Sequence, residues 1–174
     1  MKRVAVFPGT FDPVTLGHLD VLERAVRLFD RVVVGVAAGH HKSTLFSLDE
    51  RIEMFRENLS EVSAPRVRFV AFDGLLVDFA KETGAIAVVR GIRTVRDYEY
   101  ELQMAQLNRT MSPELETVFL VPAEKYASVQ SSRVREIARY GGKVRAFVPR
   151  TVERRLRKAM RTKKGVSAGE GKKA

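Results

Sequence analysis

The chain has 174 residues and not one cysteine or tryptophan. Without cysteine there is no disulfide framework, no thiol nucleophile and no cysteine-based zinc or iron–sulfur site. The absence also suits a reducing cytoplasm, which is the expected location. Long apolar runs are lacking too. Stretches such as Val4 to Phe7 and Ala85 to Val89 hold four or five residues, far short of the roughly 20 that cross a bilayer. The opening Met1-Lys2-Arg3-Val4 leads straight into the first of these runs and reads as the start of a core strand, not as a signal peptide. There is no linker, no low-complexity block and no internal repeat. A secreted or membrane-spanning protein is therefore not expected. A chain of this length buries roughly 70% of its unfolded surface as a single domain and needs no staples to fold.

Acidic residues are scarce at one end only. The net charge is +10, which on its own invites a nucleic-acid partner. Residues 150–174 carry +8 of it and residues 1–149 only +2. The basicity belongs to the end of the chain and reads as a solvated helix with a frayed tail, so no specific nucleic acid is expected as a partner. Residues 161–174 have almost no apolar content and are expected to be a disordered basic tail, leaving 1–160 as the folded domain.

Within 1–160 two periodicities alternate. Arg3 to Phe7, Arg31 to Ala38, Val67 to Phe72, Ile86 to Val89 and Thr117 to Val121 read as strands. Gly17 to Phe29 carries Leu19, Leu22, Ala25, Val26 and Phe29 at helical spacing. Ser47-Leu48-Asp49-Glu50 is a capping box opening a helix to about Leu59. Further helices are expected over Leu75 to Glu82 with Gly84 after its end, Asp97 to Arg109, Ser131 to Tyr140 before Gly141-Gly142, and Arg150 to Met160. Continuously apolar strands are buried on both faces, and intervening helices imply right-handed crossovers. The fold expected is α/β: a doubly wound, five-stranded parallel sheet of Rossmann-like type. Such sheets bind ligands beyond the carboxyl ends of their strands, which directs attention to the residues after Phe7, Ala38, Phe72, Val89 and Val121.

The segment after the first strand, Pro8 to His18, is neither a Walker loop nor a G-x-G-x-x-G turn. It is still a small glycine-containing loop feeding a helix N-terminus, where free N–H groups and the helix dipole favour an anion. Local physics leaves two readings open. His18 and the loop hold a phosphate, or Thr15 is an ordinary N-cap and His18 a solvated first-turn residue. Arg90 and Arg93 stand near a strand end with no evident local carboxylate partner. His40 and His41 are adjacent, point different ways and lack a third ligand at metal-site spacing, so a zinc site is not expected.

Gly9-Thr10-Phe11-Asp12-Pro13 followed by Thr15-Leu16-Gly17-His18 resembles the T/H-x-G-H loop of the nucleotidyltransferase superfamily. Arg90-Gly91-Ile92-Arg93, the run Asp97 to Ala105, Leu107-Asn108-Arg109 and Pro113-Glu114-Leu115-Glu116 make the resemblance more specific. Together they are similar to the bacterial phosphopantetheine adenylyltransferases, over about residues 1–160.

The resemblance implies transfer of the adenylyl group of ATP to 4′-phosphopantetheine, giving dephospho-coenzyme A and pyrophosphate in coenzyme A synthesis. It implies His18, Thr10 and Lys42 as the catalytic set: His18 on the α-phosphate, Thr10 touching both substrates, Lys42 bridging them. It implies Arg90 on the acceptor phosphate and Leu76 against the pantetheine arm. On the ATP side it implies Phe11, Gly91, Ile92, Arg93 and Glu101, the last at the ribose. The run Tyr126-Ala127-Ser128-Val129-Gln130-Ser131-Ser132 would hold the β- and γ-phosphates at a helix start, with Arg135 near the triphosphate. This chain has Gln130 where the family usually has a first Ser; Gln still donates a hydrogen bond but is larger.

The chemistry suits these residue types. The nucleophile is a phosphate oxygen whose second pKa is about 6, so no strong base and no covalent intermediate is needed. Two polyanions must be brought together and charge on the α-phosphate stabilised, which calls for cations, hydroxyls and N–H groups. Magnesium is expected with ATP, its protein ligands undetermined. A homohexamer and inhibition by coenzyme A are further implications. A different acceptor, nicotinamide mononucleotide or glycerol 3-phosphate with CTP, is disfavoured by Arg90 to Arg93 and Asn108-Arg109.

Overall fold

A computed structural model describes residues 2–38 and 43–170, with side chains through Thr162. The strands are β1 (Val4–Gly9), β2 (Arg31–Ala37), β3 (Val67–Phe72), β4 (Ala87–Gly91) and β5 (Glu116–Leu120). They alternate with α1 (Leu16–Leu28), α2 (Leu48–Arg56), α3 (Leu76–Glu82) and α4 (Val95–Met111). Then come α5 (Ser131–Arg139) and α6 (Arg150–Glu170), with short 3-10 turns at 64–66 and 124–126.

The sheet has five strands in the order β3-β2-β1-β4-β5, and every pairing is parallel. The expected architecture is the one observed. Successive residues of the central strands fall on opposite faces, as pleating requires. Ala5 and Phe7 of β1, Val32, Val34 and Val36 of β2, and Ala87 and Val89 of β4 enter one core with Leu22, Phe55, Val134 and Leu156. Val6, Val33 and Val88 enter the other, with Val77, Phe79 and Leu115. Both faces are covered, so the strands are apolar throughout instead of alternating.

The caps follow the sequence. Ser47 Oγ accepts from Glu50 N–H at 3.2 Å, and Glu50 Oε2 accepts from Ser47 N–H at 2.9 Å. Gly84 follows α3 at φ +66°, the left-handed geometry that glycine takes without strain. The helix expected over Arg150 to Met160 continues to Glu170, through most of the segment whose composition suggested a tail.

The strand order reverses at β1. The chain moves from β1 out to β2 and β3, then returns to pair β4 on β1's other side. The carboxyl ends of β1 and β4 therefore lie side by side at the switch point, where a crevice opens. This topology brings Thr10 and Arg90 together, 80 residues apart in the chain.

Candidate active site

A cleft of about 540 Å³ lies at that crevice. Its walls include Thr10, Phe11 and His18 after β1, Arg90, Gly91 and Arg93 at β4, and Val129 to Ser132 at the start of α5. Glu101 from α4 also reaches it. Ile92, Tyr126, Ala127 and Ser128 are near in sequence but do not line it. Ile92 N–H instead donates to Leu120 O at 3.0 Å, and the Tyr126 ring lies 4.9 Å from Lys125 Nζ. Lys42, His40 and His41 lie outside the described residues.

The β1–α1 loop is built from the core outward. Phe11 is buried and sits at φ +52°, an unusual conformation for a side-chain-bearing residue. It is held there by rings on three sides: Phe7 at 5.2 Å, Phe55 at 4.8 Å and the His18 imidazole at 5.0 Å. A Cβ on Gly9 would come within 2.7 Å of the Phe11 ring, so this packing needs glycine at that position.

Thr15 is the N-cap that the sequence allowed, but His18 is partly buried on the cleft wall and not a solvated first-turn residue. Thr15 is the N-cap of α1, and its Oγ1 accepts from His18 N–H at 3.3 Å. His18 returns the bond: its Nδ1 accepts from Thr15 N–H at 3.1 Å. An acceptor Nδ1 means that the ring is neutral and its proton sits on Nε2. The electrostatics agree. Desolvation, then the charges of Arg93 and Arg90, lower the His18 pKa to about 3. His18 is thus a neutral hydrogen-bond donor on the cleft wall, unsuited to act as a base of ordinary histidine strength.

The two arginines are not free of carboxylates, and here the sequence expectation is corrected. Arg90 Nε and Nη2 donate to Glu101 Oε2 and Oε1 at 2.7 and 2.5 Å, and Nη1 donates to Pro8 O at 2.9 Å. Arg93 Nε donates to Asp97 Oδ2 at 3.0 Å, and its Nη1 to Val129 O at 2.7 Å. The partners come from α4, whose register against the sheet is a tertiary fact. Arg93 ties the end of β4 to the segment that enters α5.

The N-cap of α5 is Gln130, and its side chain makes no capping bond. Ser131 Oγ donates to Pro13 O at 2.8 Å and so does not cap either. The first N–H groups of α5 are left without a side-chain cap beside the cleft, an arrangement that favours an anion.

Two residues of the site went unassigned in the sequence. Arg51 is 1% exposed. Its Nη1 donates to Thr10 O at 2.7 Å and Ala37 O at 2.9 Å, and its Nε to Ser47 O at 3.2 Å. One guanidinium thereby joins the ends of β1 and β2 to the start of α2. Burial pushes its pKa down, opposed by the Asp12 charge. Asp12 is also buried, accepting from Leu45 and Phe46 N–H at 2.8 and 3.0 Å. Arg135 donates to Asp12 O and pairs with its Oδ2 at 3.3 Å, so it is anchored beside the cleft. The available signal was a cation at position 51 on the same helical face as Met54 and Phe55.

A second hollow of about 350 Å³ adjoins the first. Leu76 lies here, with Phe72, Leu75, Met104 and Asn108. Pro8, Gly9, Thr10, Arg90 and Glu101 border both spaces. The site is therefore two chambers meeting at Thr10 and Arg90, the first mainly polar and the second more apolar.

Residues 6–137 match the family model described as cytidylyltransferase-like. A phosphopantetheine adenylyltransferase of Thiobacillus denitrificans is 54% identical over 90% of this chain and 97% of its own length. One of Moorella thermoacetica is 53% identical over 90% and 96%. The chain belongs to the phosphopantetheine adenylyltransferase family. Among solved structures, a Plasmodium falciparum nicotinic acid mononucleotide adenylyltransferase complexed with NaAD superposes with a TM-score of 0.69 at 13% identity, over 91% of this chain and 96% of that one. That likeness shows the shared fold. The chain is thus a nucleotidyltransferase enzyme, and its switch-point crevice lies where the fold places a ligand.

Proposed function

We infer that the chain transfers the adenylyl group of ATP to 4′-phosphopantetheine, producing dephospho-coenzyme A and pyrophosphate. The observation that carries this reading is the pair of chambers joined at Thr10 and Arg90. The polar chamber takes ATP, and the chamber with Leu76 takes the pantetheine arm. The acceptor phosphate then arrives at the shared wall, beside the α-phosphate.

In this reading an acceptor phosphate oxygen attacks the α-phosphorus. A new P–O bond forms, and the bond to the bridging oxygen of pyrophosphate breaks. The attacking oxygen is already ionised, so no side chain must remove a proton. His18, neutral and carrying its proton on Nε2, donates to the α-phosphate as charge develops. Thr10, at the junction, orients both phosphates. Arg90 binds the acceptor phosphate, and Arg93, already fixed at Val129, contributes positive potential on the ATP side. The uncapped start of α5 with Gln130, Ser131 and Ser132 receives the β- and γ-phosphates. Lys42 is assigned the bridging role by family resemblance.

Among the described residues no group of three or more His, Asp or Glu could hold a metal ion. We assign magnesium to the ATP triphosphate, with few protein ligands, and route no step through it. Exposed Val95, Tyr98, Tyr100, Leu107 and Met111 on α4 support assembly into the homohexamer that the family implies; light scattering tests this. No helix among the described residues is long and apolar enough to cross a membrane, and we place the enzyme in the cytoplasm. Coenzyme A is the proposed inhibitor, since it carries the same pantetheine arm.

The function is tested by offering purified protein 4′-phosphopantetheine or nicotinamide mononucleotide with ATP, and glycerol 3-phosphate with CTP. Dephospho-coenzyme A from the first acceptor alone is expected. Product from another acceptor would move the specificity away from Arg90 and Leu76.

A further inference from the structure

A buried guanidinium is costly unless its donors are used, and packing alone does not ask for one at position 51, where the neighbouring Met54 and Phe55 of α2 are buried and apolar. Arg51 spends its donors on main-chain oxygens: Nη1 on Thr10 O at 2.7 Å and Ala37 O at 2.9 Å, Nε on Ser47 O at 3.2 Å. Thr10 O belongs to the cleft loop and not to the sheet ladder. The Thr10–Phe11 peptide is trans, so its carbonyl and its N–H point opposite ways. Because the carbonyl is turned to Arg51, the Phe11 N–H is turned away from it. That N–H has no hydrogen-bond partner among the described residues, and Thr10 and Phe11 both border the cleft. Phe11 also sits at φ +52°, a conformation that persists only when its surroundings fix it. One helix does much of the fixing. Phe55 packs on the Phe11 ring at 4.8 Å, and Arg51, one turn earlier on α2, holds the peptide in front of that ring.

We propose that Arg51 is a positioning residue for the transferred phosphate: by holding the Thr10 carbonyl against the ends of β2 and α2, it presents the Phe11 N–H to the α-phosphate of ATP. This inference rests on the reading of the polar chamber as the ATP site. Arg51 touches no substrate; it acts through one peptide unit. The physical gain is pre-organisation. A donor already aimed at the place where charge develops needs no reorganisation during the reaction, whereas a peptide free to rotate must first be turned. His18 Nε2 and the Phe11 N–H are then two neutral donors on the same phosphate, each fixed by a hydrogen bond at the other end of its group.

The test compares wild type, Arg51→Lys and Arg51→Met in the full chain, with ATP and with the two α-thio diastereomers of ATP, which carry sulfur at one or the other non-bridging α-oxygen. In Arg51→Met, kcat should fall by about 10- to 100-fold, the scale of a small misplacement at the reacting centre. The KM for 4′-phosphopantetheine should stay within about 2-fold, since the interaction lost is on the other substrate. The preference between the diastereomers should shrink by about 2- to 10-fold, the scale of one hydrogen bond to one oxygen. Arg51→Lys keeps a cation but not the fork that reaches α2 and both strands, and should fall between in both respects. An unchanged diastereomer ratio would overturn the proposal. So would a kcat that falls only in proportion to the unfolded fraction, read by circular dichroism in the same buffer, because Arg51 would then serve stability alone.

A measurement on the wild-type chain needs no variant. With α,β-methylene-ATP bound, the Phe11 amide should exchange with solvent at least about 10-fold more slowly than without it, followed by NMR on protein labelled with 15N-phenylalanine. No slowing in protein that has bound the nucleotide would overturn the proposal. A wild-type chain that binds no nucleotide would instead count against the proposed function.

Discussion

Arg51, Arg90, Arg93 and Arg135 stand at the carboxyl ends of the strands, and each donates to a carbonyl or a carboxylate within the fold. Arg150, Arg154, Arg157 and Arg161 stand on the outer face of α6, all exposed. Of these four only Arg157 has an ion-pair partner among the described residues, Glu153 at 2.7 Å. The two sets share a side chain and differ in everything that gives it work to do. On α6 water solvates the charges and salt screens them. At the strand ends backbone oxygens fix the guanidinium groups, and the charges of Arg93 and Arg90 act on His18. The segment that holds the outer set, residues 150–174, carries +8 of the net charge of +10; the inner set surrounds the cleft.

The largest effect that would break this comparison is at the residue on which the inner field acts. His18→Ala should lower turnover by at least about 10²-fold, the scale of losing one transition-state donor, with circular dichroism unchanged. Retained turnover would mean that the cleft is misassigned. Arg90→Ala should raise the acceptor KM by about 10- to 100-fold with little change for ATP, measured by steady-state kinetics. A loss confined to ATP would exchange the two chambers.

Arg51→Met should cost roughly 1–3 kcal/mol in urea unfolding, because the Thr10 and Ala37 carbonyls lose a buried donor. A fully stable Arg51→Met would place that arginine with the solvated set. Next comes pH. With its pKa near 3 in the fold against 6.5 ordinarily, His18 stays neutral down to about pH 4, so turnover should show no break near pH 6.5 from this group. The unfolded chain takes up a proton there and the native chain does not. His18 therefore costs the fold nothing above pH 6.5 and destabilises it progressively as pH falls toward 3. A His18→Gln variant should show a shallower decline. The smallest effect belongs to α6: Arg154→Glu or Lys158→Glu should leave turnover unchanged and move stability by no more than about 0.5 kcal/mol.

The strands and their crossovers were legible because an apolar strand buried on both faces leaves a plain mark, as in Val32 to Val36. So was the cap at Ser47, a local bond between residues three apart. The cleft residues after β1 and β4 were legible by position, since the fold class says where strand ends converge. Arg51 was not, because a cation in an apolar helical stripe declares its burial only when the carbonyls it serves are known. The partners of Arg90 and Arg93 were hidden for a related reason. Arg93 and Asp97 are four residues apart, but they span a strand end and a helix start, and only the turn between them brings the groups to 3.0 Å.

By itself the sequence determined the α/β class, the parallel sheet, the position of the site at strand ends and the family, because these depend on local periodicity and short contiguous motifs. Only the tertiary structure decided that Glu101 pairs with Arg90, that His18 is held neutral by desolvation and two neighbouring cations, and that two chambers share one wall. Each of these depends on distances between residues far apart in the chain. Such distances are set by how helices settle on the sheet, which no spacing along the sequence encodes.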